Sequence, residues 1–336
     1  MKAIVLEALR PIDQAPLTER EMPDPTPSPT QVVLSVAACG VCRSNLHMIE
    51  GDWVDGGTPS YTPIVPGHEV VGTISQIGQL VTDFAVGDRV GVTPLWSTCG
   101  VCEFCTEGRD QLCQSKEITG ESVDGGYAEL MLAESRHTYH LPDELDFVAA
   151  APLFCPGITA YGSVSKANLA PGKRVAVFGM GGVGHMVVQM AALSGADVFV
   201  VSRGKEHLSL ATELGAVAVD ATSGDPGEAL QKLGGMDSCI VFAPSSAVVD
   251  QAIAAARPGG TVVIGVNAEV GPLPFAEEKT VVGSLLGTRQ QVRDMLQLAS
   301  AGKIAAQTVS YDFDQATAAL TDLKDGKIRA RAVLVV

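Results

Sequence analysis

The stretch Arg174-Val-Ala-Val-Phe178-Gly179-Met-Gly181-Gly182-Val183-Gly184 decides the fold of this chain. An apolar segment long enough for one buried strand leads into a G-x-G-x-x-G turn, and a helical pattern follows from 184 to 194. In that context the glycines let the backbone approach a pyrophosphate, which the free N–H groups of the helix N-terminus would bind. The turn from Gly179 to Gly184 therefore predicts a dinucleotide site. The alternative is a glycine-rich connection without a ligand.

Strand and helix patterns alternate after this turn. Strand patterns cover 197–201, 238–242 and 261–266, and a helical pattern covers 205–214. Alternation of this kind implies right-handed crossovers and a doubly wound parallel sheet. The first half of the chain instead carries short strand-like segments split by glycine and proline, which favours compact, mainly β structure. Pattern alone leaves open which half the C-terminal helix (292–301) and strand (332–336) join.

Composition excludes several classes of protein. The 336 residues are 46% apolar and 18% charged, as in a globular enzyme with two cores. A net charge of −15 argues against a nucleic-acid reader. The longest apolar region, 175–201, is broken by glycines, His185 and Gln189, so it does not predict a membrane span. We expect a cytoplasmic enzyme without nucleic-acid or membrane partners.

Four cysteines lie close together in a C-x2-C-x2-C-x7-C pattern, namely Cys99, Cys102, Cys105 and Cys113. Four thiolates on one loop can close a tetrahedron around zinc and leave no position for substrate, so this pattern predicts a structural site. An iron–sulfur cluster is the rival reading, although nothing else here suggests electron transfer. A nucleic-acid-binding zinc ribbon is disfavoured because acidic residues outnumber Arg109 in this lobe.

Further candidate ligands are dispersed along the chain: Cys42 in Gly40-Val-Cys-Arg-Ser-Asn-Leu-His47, His68 in Pro66-Gly-His-Glu69, and Cys155 in Leu153-Phe-Cys-Pro-Gly157. Each motif alone is ordinary. Together with the four-cysteine loop they resemble the zinc-dependent medium-chain alcohol dehydrogenase family over nearly the whole chain. The resemblance implies an α/β Rossmann domain over 153–287. It also implies a mainly β, GroES-like catalytic domain over 1–152 and 288–336 that carries the structural zinc lobe.

The resemblance also implies roles for individual residues. Cys42, His68 and Cys155 would bind a catalytic zinc with one open position, and Glu69 would stand behind that metal. Two zinc ions per chain follow. Ser44 and His47 match a proton relay, Arg43 a cofactor-phosphate contact, and Arg331 a contact to the pyrophosphate. The implied reaction is the interconversion of primary or secondary alcohols with aldehydes or ketones by hydride transfer to or from NADP(H) or NAD(H).

Asn45 departs from the family pattern, which usually has aspartate at this position to orient the histidine ligand. Metal-bound histidines commonly donate their second N–H to such a carboxylate. Asparagine can accept that hydrogen bond but brings no negative charge. We therefore hypothesise that the zinc here is a somewhat stronger Lewis acid.

The end of the second predicted strand bears on cofactor choice. An NAD site normally has an acidic residue there for the ribose hydroxyls, whereas this chain has Ser202, Arg203 and Lys205. A hydroxyl and two cations suit a 2′-phosphate, so we expect NADP(H) to be preferred over NAD(H). The segment is similar to the cinnamyl-alcohol and aldehyde-reductase branch of the family. The alternative is that both cations are merely solvated.

Substrate and assembly are less constrained by the sequence. Trp53 and Trp96 fall in segments that line the substrate pocket in similar enzymes, although either ring could instead fill core. Residues 281–289 are similar to the edge of homotetrameric bacterial members, with a dimer as the alternative. Two other functions stay open at this point. One is reduction of activated C=C bonds on the same fold, and the other is non-catalytic binding.

Overall fold

The computed structural model describes all residues from 1 to 336. The chain divides into two compact units. Unit 1 comprises Met1–Cys155, Thr288–Ser300 and Ala306–Val336, and unit 2 comprises Pro156–Gly287 and Ala301–Ala305. The domain boundaries expected from the sequence stay a prediction.

Seventeen strands and ten α-helices make up the chain. The strands are β1 (Lys2–Leu6), β2 (Leu17–Glu21), β3 (Gln31–Val41), β4 (Val70–Ile77), β5 (Arg89–Val92), β6 (Leu95–Ser97), β7 (Glu117–Ile118), β8 (Leu130–Glu134), β9 (Thr138–His140), β10 (Arg174–Phe178), β11 (Asp197–Ser202), β12 (Val217–Asp220), β13 (Met236–Val241), β14 (Ala256–Ile264), β15 (Thr280–Gly283), β16 (Thr308–Asp312) and β17 (Arg331–Val335). The helices are α1 (Arg43–Glu50), α2 (Glu103–Thr106), α3 (Phe147–Ala150), α4 (Pro156–Lys166), α5 (Gly184–Leu193), α6 (Lys205–Glu213), α7 (Pro226–Lys232), α8 (Ser246–Ala255), α9 (Arg289–Ser300) and α10 (Ala316–Lys324).

Unit 2 is built on one six-stranded parallel sheet with the order β12-β11-β10-β13-β14-β15. The strand order reverses between β10 and β13, and ligands of doubly wound sheets bind at such a point, beyond the carboxyl ends of the strands. Every residue from Val175 to Phe178 is fully buried, as expected for a central parallel strand covered on both faces. The predicted Rossmann sheet is confirmed.

Unit 1 contains a seven-stranded mixed sheet with the order β16-β17-β3-β4-β5-β9, and β8 also pairs with β3. The last strand of the chain, β17, runs antiparallel to β3, with Leu334 opposite Cys39. This pairing answers the question that pattern left open, because the C-terminal strand completes the sheet of the first half. The separate β domain expected beside the Rossmann domain is thus present.

No single helix is long and apolar enough to cross a bilayer. One bent pair, Phe147–Phe154 with Pro156–Lys166, passes by length and composition alone.

Candidate active site

Three segments of unit 1 bring the dispersed ligand candidates together. Cys42 follows β3 and precedes α1, His68 and Glu69 come directly before β4, and Cys155 follows the short 3-10 turn Ala151–Phe154. The ligand atoms of Cys42, His68, Glu69 and Cys155 all lie within 4.8 Å of one another. The two sulfurs are 3.9 Å apart. Residues separated by more than a hundred positions therefore form one compact donor set.

Neighbouring polar side chains surround this donor set. Ser44 Oγ donates a hydrogen bond to Cys42 Sγ at 3.0 Å and lies 3.3 Å from His68 Nε2. On the other side of the imidazole ring, Asn45 Nδ2 lies 3.4 Å and Glu121 Oε1 3.7 Å from His68 Nδ1. Nothing in the sequence motifs pointed to Glu121, because it comes from a loop with no ligand pattern.

The pKa values of the ligand candidates are shifted in ways that are consistent with a site for a positively charged metal ion. A hydrogen bond from the Cys155 thiol, aided by His68, holds the pKa of Cys42 well below its usual range. Burial would lower the pKa of His68, but the Cys42 thiolate outweighs it and raises that pKa to about 9. Burial raises the pKa of Glu69 to about 7. Protons thus balance the buried charge, and zinc binding replaces such protons with a metal ion.

Glu69 supports the same conclusion. One of its oxygens accepts a hydrogen bond from Arg331, whereas Oε2 is buried without a partner. A buried carboxylate oxygen is costly unless something satisfies it. The close approach also requires glycine at position 40, where a Cβ atom would lie 2.0 Å from that same Oε2. The residues present therefore fit a bound zinc ion.

His47 lies on α1, three residues after Ser44. Its Nδ1 lies 2.6 Å from Asp52 Oδ2, and its ring centroid is 5.4 Å from that of Trp53. One third of the imidazole is exposed, so it can exchange a proton with solvent. No direct hydrogen bond joins Ser44 to His47. Sequence reasoning missed Asp52, although an acid shortly after the histidine was a visible signal.

The four-cysteine lobe also assembles, at a separate place in unit 1. The sulfurs of Cys99, Cys102, Cys105 and Cys113 lie within 4.8 Å of one another, and all four are free thiols. Backbone N–H groups, Val101 first, lower the pKa of Cys99 to about 6, which favours the thiolate that zinc requires. Neighbouring sulfurs are 3.5 to 3.9 Å apart.

The glycine-rich turn of unit 2 gives its glycines different tasks. Gly179 has a φ of +103°, and a Cβ atom on Gly184 would lie 2.0 Å from the carbonyl oxygen of Gly179. A Cβ atom on Gly181 would meet nothing within 4 Å. Gly179 thus makes the turn, Gly184 lets α5 pack against the strand, and Gly181 keeps open space where a pyrophosphate would approach.

Other residues predicted to bind the cofactor lie at or just after the end of β11 and on α1. Ser202 ends β11, its Oγ lies 3.5 Å from His207 Nδ1, and Arg203 and Lys205 are both exposed. Arg43 is exposed and donates to the carbonyl of Leu323.

Two candidates have other partners in the structure. Arg331 is buried and donates to Glu69 and to the carbonyl of Val41. Trp96 donates its indole N–H to the carbonyl of Leu132 and packs on the unit 1 core. Their roles at the pyrophosphate and in the substrate pocket stay predictions.

Comparison with known proteins decides the family. The alcohol dehydrogenase GroES-like domain matches residues 28–143, and the zinc-binding dehydrogenase domain matches residues 182–301. An alcohol dehydrogenase of Geobacillus stearothermophilus is 37% identical, with both chains covered completely. The chain belongs to the zinc-dependent alcohol dehydrogenase family. It is an NAD(P)-dependent alcohol dehydrogenase that interconverts alcohols with aldehydes or ketones.

Solved structures of the family agree. The alcohol dehydrogenase of the archaeon Aeropyrum pernix is 31% identical and superposes with a TM-score of 0.92, both chains being covered completely. A zinc-binding dehydrogenase from Sinorhizobium meliloti, solved with NADP bound, is 29% identical with a TM-score of 0.88, covering 100% of this chain and 99% of that one. Like other zinc-dependent alcohol dehydrogenases, the enzyme uses zinc and a nicotinamide cofactor and acts on a small-molecule substrate. The similarity of this chain to the cinnamyl-alcohol branch of the family stays a prediction.

Proposed function

We propose that this alcohol dehydrogenase holds two zinc ions per chain, prefers NADP(H), and acts on primary and secondary alcohols and the matching aldehydes or ketones. One observation carries the proposal. Two thiols, an imidazole and a carboxylate from three distant segments converge within 4.8 Å, beside the Ser44 hydroxyl. That donor set suits zinc, and three firm ligands leave one position for a substrate oxygen.

The residues around the donor set have distinct tasks in this proposal. When bound, zinc supplies a Lewis acid that lowers the pKa of the substrate hydroxyl, and the nicotinamide supplies the hydride acceptor. Cys42, His68 and Cys155 hold the metal. Ser44 Oγ, next to two of these ligands, accepts the hydroxyl proton during oxidation while it gives up its own, which must reach His47 through an intervening hydroxyl or water because the two side chains are not in direct contact. His47, oriented by Asp52, exchanges that proton with solvent.

The four-cysteine lobe would hold the second zinc. Four thiolates fill a tetrahedral site and leave no position for substrate, so this ion holds the lobe together and takes no part in the reaction. An iron–sulfur cluster, the alternative for this spacing, would give the purified protein a visible absorption spectrum.

Metal analysis and a cofactor assay test the proposal together. We expect two zinc ions per chain, and alcohol-dependent reduction of NADP followed by absorbance at ~340 nm, where reduced nicotinamides absorb. Cys155→Ser should lose one zinc and the activity, whereas Cys239→Ser, which alters a buried thiol in the other unit, should keep both. A wild-type enzyme with one zinc, retained in Cys155→Ser, would overturn the proposal.

The proposed NADP(H) preference depends on Ser202, Arg203 and Lys205. The cations are exposed, and Asp220 of β12 lies opposite Ser202 in the sheet. Asp220 accepts hydrogen bonds from the backbone and hydroxyl of Thr222, and its negative charge works against a 2′-phosphate. We infer that two cations outweigh one acid.

A variant pair tests the preference. Arg203→Ala with Lys205→Ala should lower kcat/KM for NADP by roughly 10- to 100-fold, because hydrogen bonds to charged groups are lost, and should leave NAD nearly unchanged. Lys303→Ala, at another exposed lysine of unit 2, is the matched control. A wild-type kcat/KM that is higher for NAD than for NADP contradicts the proposal.

A further inference from the structure

Glu121 presents a carboxylate to the ring nitrogen of His68 that faces away from the cysteine ligands. Its Oε1 lies 3.7 Å from Nδ1, while Nε2 faces the Ser44 hydroxyl beside Cys42. The Glu121 side chain is only 15% exposed. A carboxylate withdrawn from water beside an imidazole needs an explanation, because burying a charge without a partner is costly.

The bonding needs of His68 supply that explanation. When Nε2 binds zinc, Nδ1 must carry the proton, and metal-bound histidines almost always donate this proton to a carboxylate, carbonyl or water. Asn45 meets Nδ1 with its Nδ2, which is also a donor, and its buried Oδ1 has no partner. With the amide turned by 180°, Oδ1 would accept the proton but would bring no charge.

Backbone packing, not chance, places Glu121 here. Gly120 has a φ of +72°, and a Cβ atom on it would lie 2.7 Å from the backbone nitrogen of Gly67. The Gly126 N–H donates to the Gly67 carbonyl, and the Ser60 N–H donates to the Glu121 carbonyl. The loop carrying Glu121 is thus held against the residue directly before His68.

We propose that Glu121 is the carboxylate partner of the metal-bound His68 and supplies, from a loop outside α1, the negative charge that Asn45 does not carry. The inference rests on the proposed function, in which His68 binds zinc. Since 3.7 Å is longer than a direct hydrogen bond, the main effect of Glu121 is to stabilise the positive charge shared by the imidazole and its metal. Glu121 acts on the metal only through His68, so it is a positioning residue and not a catalytic one. The hypothesis that Asn45 leaves a stronger Lewis acid stays a prediction, and a charge supplied by Glu121 would act against it.

Zinc affinity of the holoenzyme is the primary measurement, made by competition with a chelator. Glu121→Gln keeps the shape of the side chain and removes its charge. We expect the zinc ion held by Cys42, His68 and Cys155 to bind roughly 10- to 100-fold more weakly. The ion in the four-cysteine lobe should be unaffected and reports that the fold is intact. Glu117→Gln is the matched control, because it removes an exposed carboxylate four residues earlier, where Ser97 is its hydrogen-bond partner.

Rescue separates a charge effect from a packing effect. Adding Asn45→Asp to Glu121→Gln returns one carboxylate to Nδ1, so the double variant should recover most of the lost affinity. In the cobalt-substituted enzyme, Glu121→Gln should shift the visible bands of the catalytic ion, and the double variant should shift them back. If Glu121→Gln does not fold, Glu121→Asp takes its place, and its shorter side chain should give an intermediate loss.

Failure of this inference is distinguishable from failure of the proposed function. Two zinc ions per chain with unchanged affinity in Glu121→Gln, or no recovery in the double variant, would overturn the role of Glu121 alone. Retention of every zinc ion in Cys155→Ser would instead overturn the metal site itself.

Discussion

The Glu69–Arg331 pair shows how much one residue near the metal depends on another. Glu69 is fully buried, and Arg331 is 5% exposed and also donates to the Val41 carbonyl. Breaking such a pair leaves an unneutralised charge in the protein interior, which costs more than the pair contributes. Arg331 therefore stabilises unit 1 whether or not it also contacts a pyrophosphate.

Replacing Arg331 tests this role. Arg331→Met should lower the free energy of unfolding by about 3–5 kcal/mol, because Glu69 stays buried without its partner. Adding Glu69→Gln should restore part of the loss. Denaturant unfolding of both variants measures the effect, and a single variant as stable as the wild type would contradict it.

His137 makes the stability depend on pH. Burial, aided by Arg289, lowers its pKa from 6.5 to about 4. The neutral ring is favoured in the folded state, so its contribution is fully present above pH 6.5 and is lost as the pH falls toward 4. The loss should approach roughly 3 kcal/mol.

His137→Gln isolates this contribution. The glutamine can still pair with Thr98, whose hydroxyl lies 3.1 Å from His137 Nε2, but it cannot titrate. Between pH 6.5 and 4 the variant should lose stability less steeply than the wild type, and any loss of zinc at acid pH affects both proteins alike. Parallel stability curves in that range would show that His137 does not titrate as described.

At the scale of elements, the turn between β10 and α5 needs one glycine for helix packing and another for the approach of the cofactor, and the two needs can be tested separately. Gly184→Ala places a methyl group against the Gly179 carbonyl, so it should displace α5 and lower the melting temperature of the free enzyme. Gly181→Ala meets open space and should leave that temperature unchanged while weakening cofactor binding. Thermal unfolding and cofactor fluorescence titration measure the two effects. Equal losses of stability would contradict the assignment.

The four-cysteine lobe has few buried apolar residues of its own, and Val101 at its tip is 81% exposed. Metal ligation must then replace a core. Cys105→Ser should lower the melting temperature strongly, whereas Cys155→Ser should abolish turnover with a much smaller effect on melting. Zinc content, melting and activity of the two variants provide the comparison. The reverse pattern would show that the structural and catalytic assignments are exchanged.

For the whole molecule, the number of chains in the assembly is a prediction to be tested. Strand β15 forms one edge of the unit 2 sheet, and the exposed apolar residues Leu273, Phe275 and Leu285 flank it in sequence. Unpaired edges invite pairing with another chain. We expect a homotetramer, so light scattering should give about four times the chain mass of 34.8 kDa. Phe275→Asp should weaken assembly, and a wild-type monomer would contradict it.

Local chemistry was readable from the sequence. The strand and turn from Arg174 to Gly184 specify themselves through apolar and glycine spacing, and the four cysteines lie within fifteen residues of one another. Such features depend on contacts between near neighbours along the chain. Recognition of Cys42, His68 and Cys155 needed the family resemblance as well, since no spacing rule joins residues so far apart.

Tertiary structure alone decided the rest. The pairing of β17 with β3, the burial of Arg331 against Glu69, and the approach of Glu121 to His68 each join segments far apart in the chain. A sequence pattern reports which residues are apolar, small or charged. It does not report which distant backbone segments the folded sheet brings together, and that packing determines which charged side chain lies beside the metal ligand.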